Sequence, residues 1–327
     1  HEVAMASVVL AFEAVFPIMA MMLVGMFIKK KGMVSDTTIR QMNKVVFTLM
    51  LPCMIFYNLV ETDFLAVYDT KLIGIVAIST ICVFLLGCLI VPLFFKENTT
   101  RSVVIQGFTR GNLVYIGLPI METLSGPKYL GLMALAIAVS VIVYNVTSVV
   151  AFEVFAGDLP TRDQHGALRT RKLIISISKG IITNPLIISA LLGTFVALLR
   201  IELPDLCISI IHSVGMPATT VALILLGASI TFQGFKDYKL EIAVTTFAKL
   251  ILIPAIIMPV GIMMGLTNYE LVVVFCTVSA PTAVASFTVA QTMGGNSMLA
   301  AQIVACTSAL SLGTIFLWIQ VLQNYIL

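Results

Sequence analysis

Two short segments of the chain combine helix-breaking residues with polar side chains inside otherwise apolar runs. The first, residues 111–119, holds two glycines, Asn112 and Pro119, and the second, residues 277–282, places hydroxyl side chains around Pro281. Each proline removes a backbone donor and obstructs the preceding helical turn. A broken helix exposes backbone N–H groups and a positive dipole end, which together favour an anion. The two segments therefore predict an anion-binding site formed by two broken helices.

Asn112 is the side chain of the first segment best suited to bind a carboxylate, because its amide group donates two hydrogen bonds. The same amide could instead cap the broken helix, and the two roles are compatible. In the second segment Ser279 and Thr282 offer hydroxyl groups and no carboxamide, which leaves the ligand open. A kinked but continuous helix, with hydroxyls satisfying the freed carbonyls, is the alternative for that segment.

Two cations fall within apolar stretches, Arg110 directly before the first segment and Lys249 in a separate stretch. A charged side chain inside a bilayer is costly and normally faces the bundle interior or a wet cavity, so both are functional candidates. Arg110 could alternatively extend toward the cytoplasmic surface. Lys249 could neutralise a substrate anion, change protonation during a cycle, or form a fixed pair with a carboxylate or a helix end.

The sequence argues against an enzyme. All aspartates fall in predicted loops, no His-Glu-x-x-His zinc motif occurs, and the cysteines show neither a disulfide framework nor a metal-site spacing. His212 lacks a convincing nucleophile motif, and Gln106 and Gln291 look like ordinary polar positions of a helix bundle. We therefore predict no catalytic residue, no cofactor and no resident metal.

The elements that position these residues are predicted membrane helices. The 327-residue chain is 59% hydrophobic and 11% charged with a mean hydropathy of +1.07, which excludes soluble enzymes and nucleic-acid-binding proteins. Ten apolar runs have the lengths of tilted helices and lack the alternation of barrel strands. These spans, numbered in chain order, lie near residues 8–28, 43–60, 72–95, 102–123, 130–156, 178–199, 206–232, 240–265, 270–292 and 297–323. The predicted fold class is an all-α membrane protein.

The distribution of Lys and Arg predicts the orientation. If both termini lie outside, most of the 19 cations fall in cytoplasmic loops, and only Lys71, Lys128 and Arg200 fall in loops on the opposite face. This positive-inside bias predicts a multi-pass protein of the cell (inner) membrane with its N and C termini outside.

Internal similarity predicts two inverted repeats of five spans. The spacing of Pro17, Gly25 and Phe27 recurs at Pro185, Gly193 and Phe195, and a hydrophilic segment separates spans 1–5 from spans 6–10. An odd number of spans per half inverts the second half, as in many transporters; chance reuse of Gly and Pro is the alternative. The predicted division is a non-native leader at 1–4, a first repeat at 5–156, a cytoplasmic linker at 157–177 and a second repeat at 178–327.

Residues 111–119, with an asparagine seven residues before the proline, resemble the fourth-span crossover of the auxin efflux carrier family. This family, part of the bile acid/auxin carrier superfamily, includes the plant PIN-FORMED carriers and bacterial organic-acid carriers. Further similarities cover residues 8–323; they are Asn43, Pro52 and Phe56 in span 2, Asn184 and Pro185 in span 6, Lys249 and Pro254 in span 8, and Pro281 and Phe287 in span 9.

The resemblance implies broken crossover helices 4 and 9, a scaffold of spans 1, 2, 6 and 7, and a transport unit of spans 3–5 and 8–10. It also implies that Tyr144 and Asn145 face the site, although Asn145 could instead only hold helices together. The candidate substrate-binding residues are Gly111, Asn112, Tyr115, Gly117, Pro119, Tyr144, Asn145, Ser279, Pro281 and Thr282, and the candidate coupling or charge residues are Lys249 and Arg110.

The expected function is secondary active transport of a small organic anion by elevator-type alternating access. We expect a homodimer paired through scaffold helices, contacts with membrane lipids, protons or sodium as candidate coupling ions, and no nucleic-acid partner. One alternative is a sodium-coupled bile-acid-type carrier, which the lack of carboxylates in both crossovers disfavours without excluding carbonyl and hydroxyl ligation. A transporter-like channel or sensor is another, because a fold does not fix its function.

Overall fold

The computed structural model describes residues 2–61, 70–126, 129–155, 175 and 178–325, and every regular element in that part of the chain is a helix. Of the predicted linker at 157–177, the structure describes residue 175 alone; the rest of the linker and residue 1 lie outside the described residues. The helices are α1 Glu2–Lys30, α2 Asp36–Val60, α3 Thr70–Phe94, α4 Asn98–Thr109, α5 Leu118–Ser125, α6 Leu130–Phe155, α7 Pro185–Leu198, α8 Asp205–Ser229, α9 Phe232–Asp237, α10 Lys239–Met263, α11 Asn268–Ser279, α12 Ala285–Thr292 and α13 Ser297–Tyr325.

Six of these helices, among the described residues, are long and apolar enough to cross a membrane by length and composition. They are α2, α3, α6, α8, α10 and α13. The all-helical class predicted from the sequence is confirmed for the described part of the chain. Shorter apolar helices occur at the two segments where the sequence predicts a break.

Prolines shape three of the described helices by inducing π turns, each of which ends two residues before the proline. The turns and their prolines are Val46–Met50 with Pro52, Leu113–Gly117 with Pro119, and Ala248–Leu252 with Pro254. Proline cannot donate to the carbonyl four residues earlier and its ring clashes there, so the helix widens locally. The carbonyl that Pro254 frees belongs to Leu250, and it accepts a hydrogen bond of 2.9 Å from Trp318 Nε1.

The helices pack in two sets. In one set α1 packs against α8, and α2 packs against α7 and α8; in the other α3 and α4 pack against α6, and α10 packs against α11 and α13. Glycines allow α1 and α8 to cross in backbone contact, because a Cβ at Gly25 would lie 2.0 Å from the Ile224 carbonyl oxygen. A Cβ at Gly227 would lie 2.0 Å from the Met22 carbonyl oxygen. The packing of α1 against α13 joins the two sets.

Short connections alternate the helix directions, so the bundle has two chemically distinct ends. The end we call the basic end carries Lys30, Lys96, Lys236 and Lys239, and there Lys29 forms a 2.5 Å ion pair with Asp36. The opposite end, the acidic end, carries Glu61, Glu202, Asp205 and Glu270. At the acidic end Lys71 donates to the Gly265 carbonyl at 2.7 Å, and the rings of Tyr129 and Tyr269 stack.

Candidate functional site

Two interrupted helices cross near the middle of the bundle. The backbone is extended at Arg110, after α4, and again at Ala280, after α11. Where the two interruptions meet, the Asn112 N–H donates to the Pro281 carbonyl at 2.8 Å, and the Ala283 N–H donates to the Arg110 carbonyl at 3.0 Å. These bonds pair Gly111 with Thr282 as an isolated antiparallel bridge. The second segment is therefore broken rather than kinked and continuous.

The hydroxyl groups around the second break are used inside the protein. Thr277 and Ser279 donate to carbonyls four residues earlier in α11, at 2.9 and 2.7 Å. Thr282 donates to the Gly107 carbonyl at 2.6 Å, and its own N–H donates to the Thr307 hydroxyl at 3.2 Å. These hydroxyls hold the crossover backbone in place, a different use from the ligand contacts that the sequence predicts for Ser279 and Thr282.

The two candidate cations lie at the crossover and are buried. Lys249 is 1% exposed and Arg110 is 6% exposed. The Lys249 ammonium lies beside Gly111, since a Cβ at that glycine would be 3.4 Å from Nζ. Arg110 donates from one guanidinium nitrogen to Asn145 Oδ1 at 3.1 Å, so it does not extend to the surface. Neither cation forms an ion pair within the part of the chain that the structure describes.

Two buried side-chain donors at the crossover have no acceptor among the described residues. The side-chain amide nitrogens of Asn112 and Asn145 are buried without a partner among the described residues. The first N–H groups of a helix have no acceptor within that helix, and helical structure resumes here at Leu113. After the second break, by contrast, the Ser286 and Phe287 N–H groups donate to the Ala283 and Val284 carbonyls. Because unpaired buried donors and cations are unfavourable, this arrangement attracts an anion.

A cavity of about 90 Å³ opens at the crossover. Of the predicted site residues, it is lined by Arg110, Gly111, Asn112, Tyr115 and Tyr144. Its opposite wall is formed by α2 and α8 through the side chains Leu51, Met54, Ile55, Thr219 and Ala222. A second cavity of about 470 Å³ shares part of this wall and extends to Glu61 at the acidic end.

The other predicted residues do not line this cavity, and the structure shows what they contact instead. Gly117 packs against α6, since an added Cβ would lie 2.5 Å from Met133 Cε. Pro119 lies inside α5, several residues beyond the break, so it shapes the resumed helix and not the interruption. Pro281 contributes its carbonyl to the crossover, and Asn145 and Lys249 lie behind the cavity wall.

The sequence missed the apolar half of the site. Leu51, Ile55 and Ala222 are ordinary hydrophobic residues of membrane spans, and no spacing distinguishes them from lipid-facing neighbours. The sequence feature that comes closest to indicating this wall is Pro52, because the π turn before it displaces this part of α2. Their placement requires knowledge of which helices face the crossover.

Comparisons with known proteins agree with this architecture. A family model described as Membrane transport protein matches residues 10–319. The chain is 22% identical over 258 residues to the "Uncharacterized transporter YfdV" of Escherichia coli strain K12 and of Shigella flexneri, which covers 78% of this chain and 79% of those proteins. The sodium proton antiporter MjNhaP1 of Methanocaldococcus jannaschii has a TM-score of 0.56 at 10% identity, covering 97% of this chain and 98% of that chain.

The likeness to the antiporter concerns the fold, whereas the family match covers most of the sequence, including both crossover segments. The family match confirms the resemblance to auxin efflux carriers and places the chain among membrane transporters. The chain therefore belongs to the Membrane transport protein family, that of the auxin efflux carriers.

Proposed function

We propose that this protein is a secondary active transporter that moves a small organic anion, a carboxylate, across the membrane by alternating access. The observation that carries the proposal is the cavity at the crossover. The buried cation Arg110 and the unpartnered amide nitrogen of Asn112 line it, and a second buried cation, Lys249, lies behind its wall at Gly111. No Asp or Glu is among the described residues that line it. A bound carboxylate would neutralise positive charge and accept hydrogen bonds that are otherwise unmade.

The proposed architecture has ten spans in two inverted repeats, residues 5–156 and 178–327, joined by the linker at 157–177. Two similarities between the halves support it. Each half contains one interrupted helix, and the two interruptions exchange backbone hydrogen bonds as an antiparallel pair. The basic end of the bundle would face the cytoplasm of a cell (inner) membrane, which leaves the N and C termini outside.

The proposed motion is of the elevator type, in which a transport unit slides against a scaffold. The scaffold comprises α1, α2, α7 and α8, and the transport unit comprises α3–α6 and α10–α13. Both contribute walls to the cavity, so sliding would carry the crossover past α2 and α8. We also propose that two copies pair through their scaffolds among membrane lipids and that protons or sodium ions drive transport.

Uptake by purified protein in proteoliposomes tests the function. The panel contains mono- and dicarboxylates, with organic cations of similar size as negative controls, under imposed proton and sodium gradients. We expect saturable uptake and exchange of at least one carboxylate. A requirement for sodium would identify the sodium-coupled variant of the mechanism.

Two arginine variants test whether transport depends on the crossover. Arg110→Gln removes the buried charge while keeping hydrogen-bonding atoms, so uptake should fall at least tenfold at equal folded abundance. Arg40→Gln removes an exposed cation of α2 at the basic end and should leave uptake unchanged. Preferential transport of organic cations, or equal uptake by both variants, contradicts the proposed anion site.

A further inference from the structure

A buried amide joins the two proposed units near the basic end. Asn43, on α2, is 1% exposed. Its side-chain nitrogen donates to Gln291 Oε1 at 2.5 Å, and its side-chain oxygen accepts from the Thr288 hydroxyl at 3.2 Å. Both partners lie on α12, the helix that leaves the second break. Each side of the Asn43 amide is therefore satisfied by the opposite unit.

These three residues lie between the crossover cavity and the basic end. Leu51 is the residue of α2 that lines this cavity nearest the basic end, and Asn43 precedes it by eight residues, or about 12 Å along the helix. The intervening Val46 and Phe47 are buried, at 0% and 5% exposure. On the α12 side, Thr288 and Gln291 likewise follow the residues that line the cavity.

A separate cavity lies near the basic end. It measures about 310 Å³ and is lined in part by Phe47, Glu153, Asn184 and Thr292. It shares no lining residue with the crossover cavity, whose larger neighbour reaches the acidic end. The access routes on the two sides of the crossover are thus different in this structure, open toward Glu61 and interrupted toward Lys44.

We propose that Asn43, Thr288 and Gln291 form a polar latch that keeps the crossover closed toward the basic end, an inference that rests on the proposed sliding of the two units. A slide of one helical turn, about 5.4 Å, would separate groups that must lie within about 3.2 Å to hydrogen-bond. The buried Asn43 amide would then lose both partners at once, which penalises the opening movement. Asn43 acts as a positioning residue for the transport cycle and does not touch the substrate.

Thiol labelling from each face of sealed vesicles tests the latch. The reporter is Ala285→Cys, at the cavity wall, with the six native cysteines replaced by alanine. A second cysteine protein, with Lys96→Cys in place of the reporter, identifies the face that presents the basic end. With Asn43→Leu, the labelling rate by a membrane-impermeant maleimide from the basic end should rise about tenfold, equivalent to about 1.4 kcal/mol.

Two further variants separate the latch from a general loss of packing. Thr288→Val removes one hydroxyl at nearly constant shape and should raise the labelling rate from the basic end by a smaller factor. If Asn43→Leu does not fold, this variant alone tests the latch. Thr48→Ala removes a hydroxyl of α2 that, within the described part of the chain, bonds to the Lys44 carbonyl of its own helix alone. This variant should leave the rate unchanged.

The outcomes distinguish this inference from the proposed function. The latch alone is overturned if both latch variants fold and still transport a carboxylate, but are labelled from the basic end at the wild-type rate. A reporter that reacts from one face only in every variant, with no carboxylate uptake, overturns alternating access and the latch together.

Discussion

Replacing Lys249 by methionine should move stability and anion binding in opposite directions. Lys249 is 1% exposed, and its ammonium lies beside the Gly111 backbone without an ion pair among the described residues. A buried charge without a counter-charge destabilises the fold by several kcal/mol. Methionine has similar length and no charge, so we expect the empty protein to gain about 1–4 kcal/mol of stability.

Binding of the anion should weaken strongly in the same variant. Two unit charges about 7 Å apart, on either side of the Gly111 backbone, interact by about 2.4 kcal/mol at an effective dielectric constant of about 20. Loss of this attraction corresponds to an increase of about fiftyfold in Kd for a carboxylate held in the cavity at Gly111. The combination of a more stable empty protein with a weaker site is what an unpaired functional cation predicts.

Thermal unfolding in detergent and equilibrium binding of a transported carboxylate measure both quantities on one preparation. Lys71→Met is the matched control, because Lys71 is exposed at the acidic end and, among the described residues, donates to the Gly265 carbonyl alone. That control should change binding little. A Lys249→Met protein that unfolds at a lower temperature and keeps its affinity within about threefold would refute the reasoning, since it would identify the lysine as a fixed structural partner.

Three other changes test separate parts of the site. Asn112→Asp adds negative charge beside the cavity at constant size and should raise Kd for the carboxylate at least tenfold; unchanged affinity in folded protein removes Asn112 from the anion site. Trp318→Phe leaves the Leu250 carbonyl without its donor and should reduce the free energy of unfolding by about 1–3 kcal/mol, measured by thermal or denaturant unfolding, with turnover per folded molecule retained. Pro281→Ala improves helix formation at the second break by about 3 kcal/mol. It should slow uptake more than Pro119→Ala, because Pro119 lies beyond the first break. Equal uptake rates in the two variants would contradict these different positions of the prolines relative to the breaks.

Sequence patterns located the breaks well because helix interruption is a local property. Glycine, proline and the polar residues around them act within a few positions of the chain, so residues 111–119 and Pro281 are readable without tertiary information. The same holds for Arg110 and Lys249, since a cation inside an apolar run is unusual in any bundle. The point at which the first helix ends was less accessible. Its interruption lies at Arg110 to Asn112, where paired backbone from the other break replaces helical hydrogen bonds.

The remaining parts of the site depend on contacts between residues far apart in the chain. Asn43 and Gln291 are 248 positions apart, and each looks like an ordinary polar residue of its own span. The hydroxyl-rich surroundings of Pro281 were equally ambiguous, because Ser279 and Thr282 can bind a ligand or a backbone carbonyl with the same chemistry. Only the positions of neighbouring helices decide between these uses.

The charge of the crossover makes the proposed sliding movement easier for the loaded transport unit than for the empty one. Without substrate, the transport unit holds Arg110 and Lys249 in an apolar setting with no carboxylate among the described residues that line the cavity. Sliding this empty unit past Leu51 and Ile55 of α2 keeps both cations desolvated. A bound carboxylate supplies the missing negative charge, so the loaded unit crosses the same apolar wall at a lower electrostatic cost. The arrangement that selects an anion would therefore also make the loaded transport unit easier to move than the empty one.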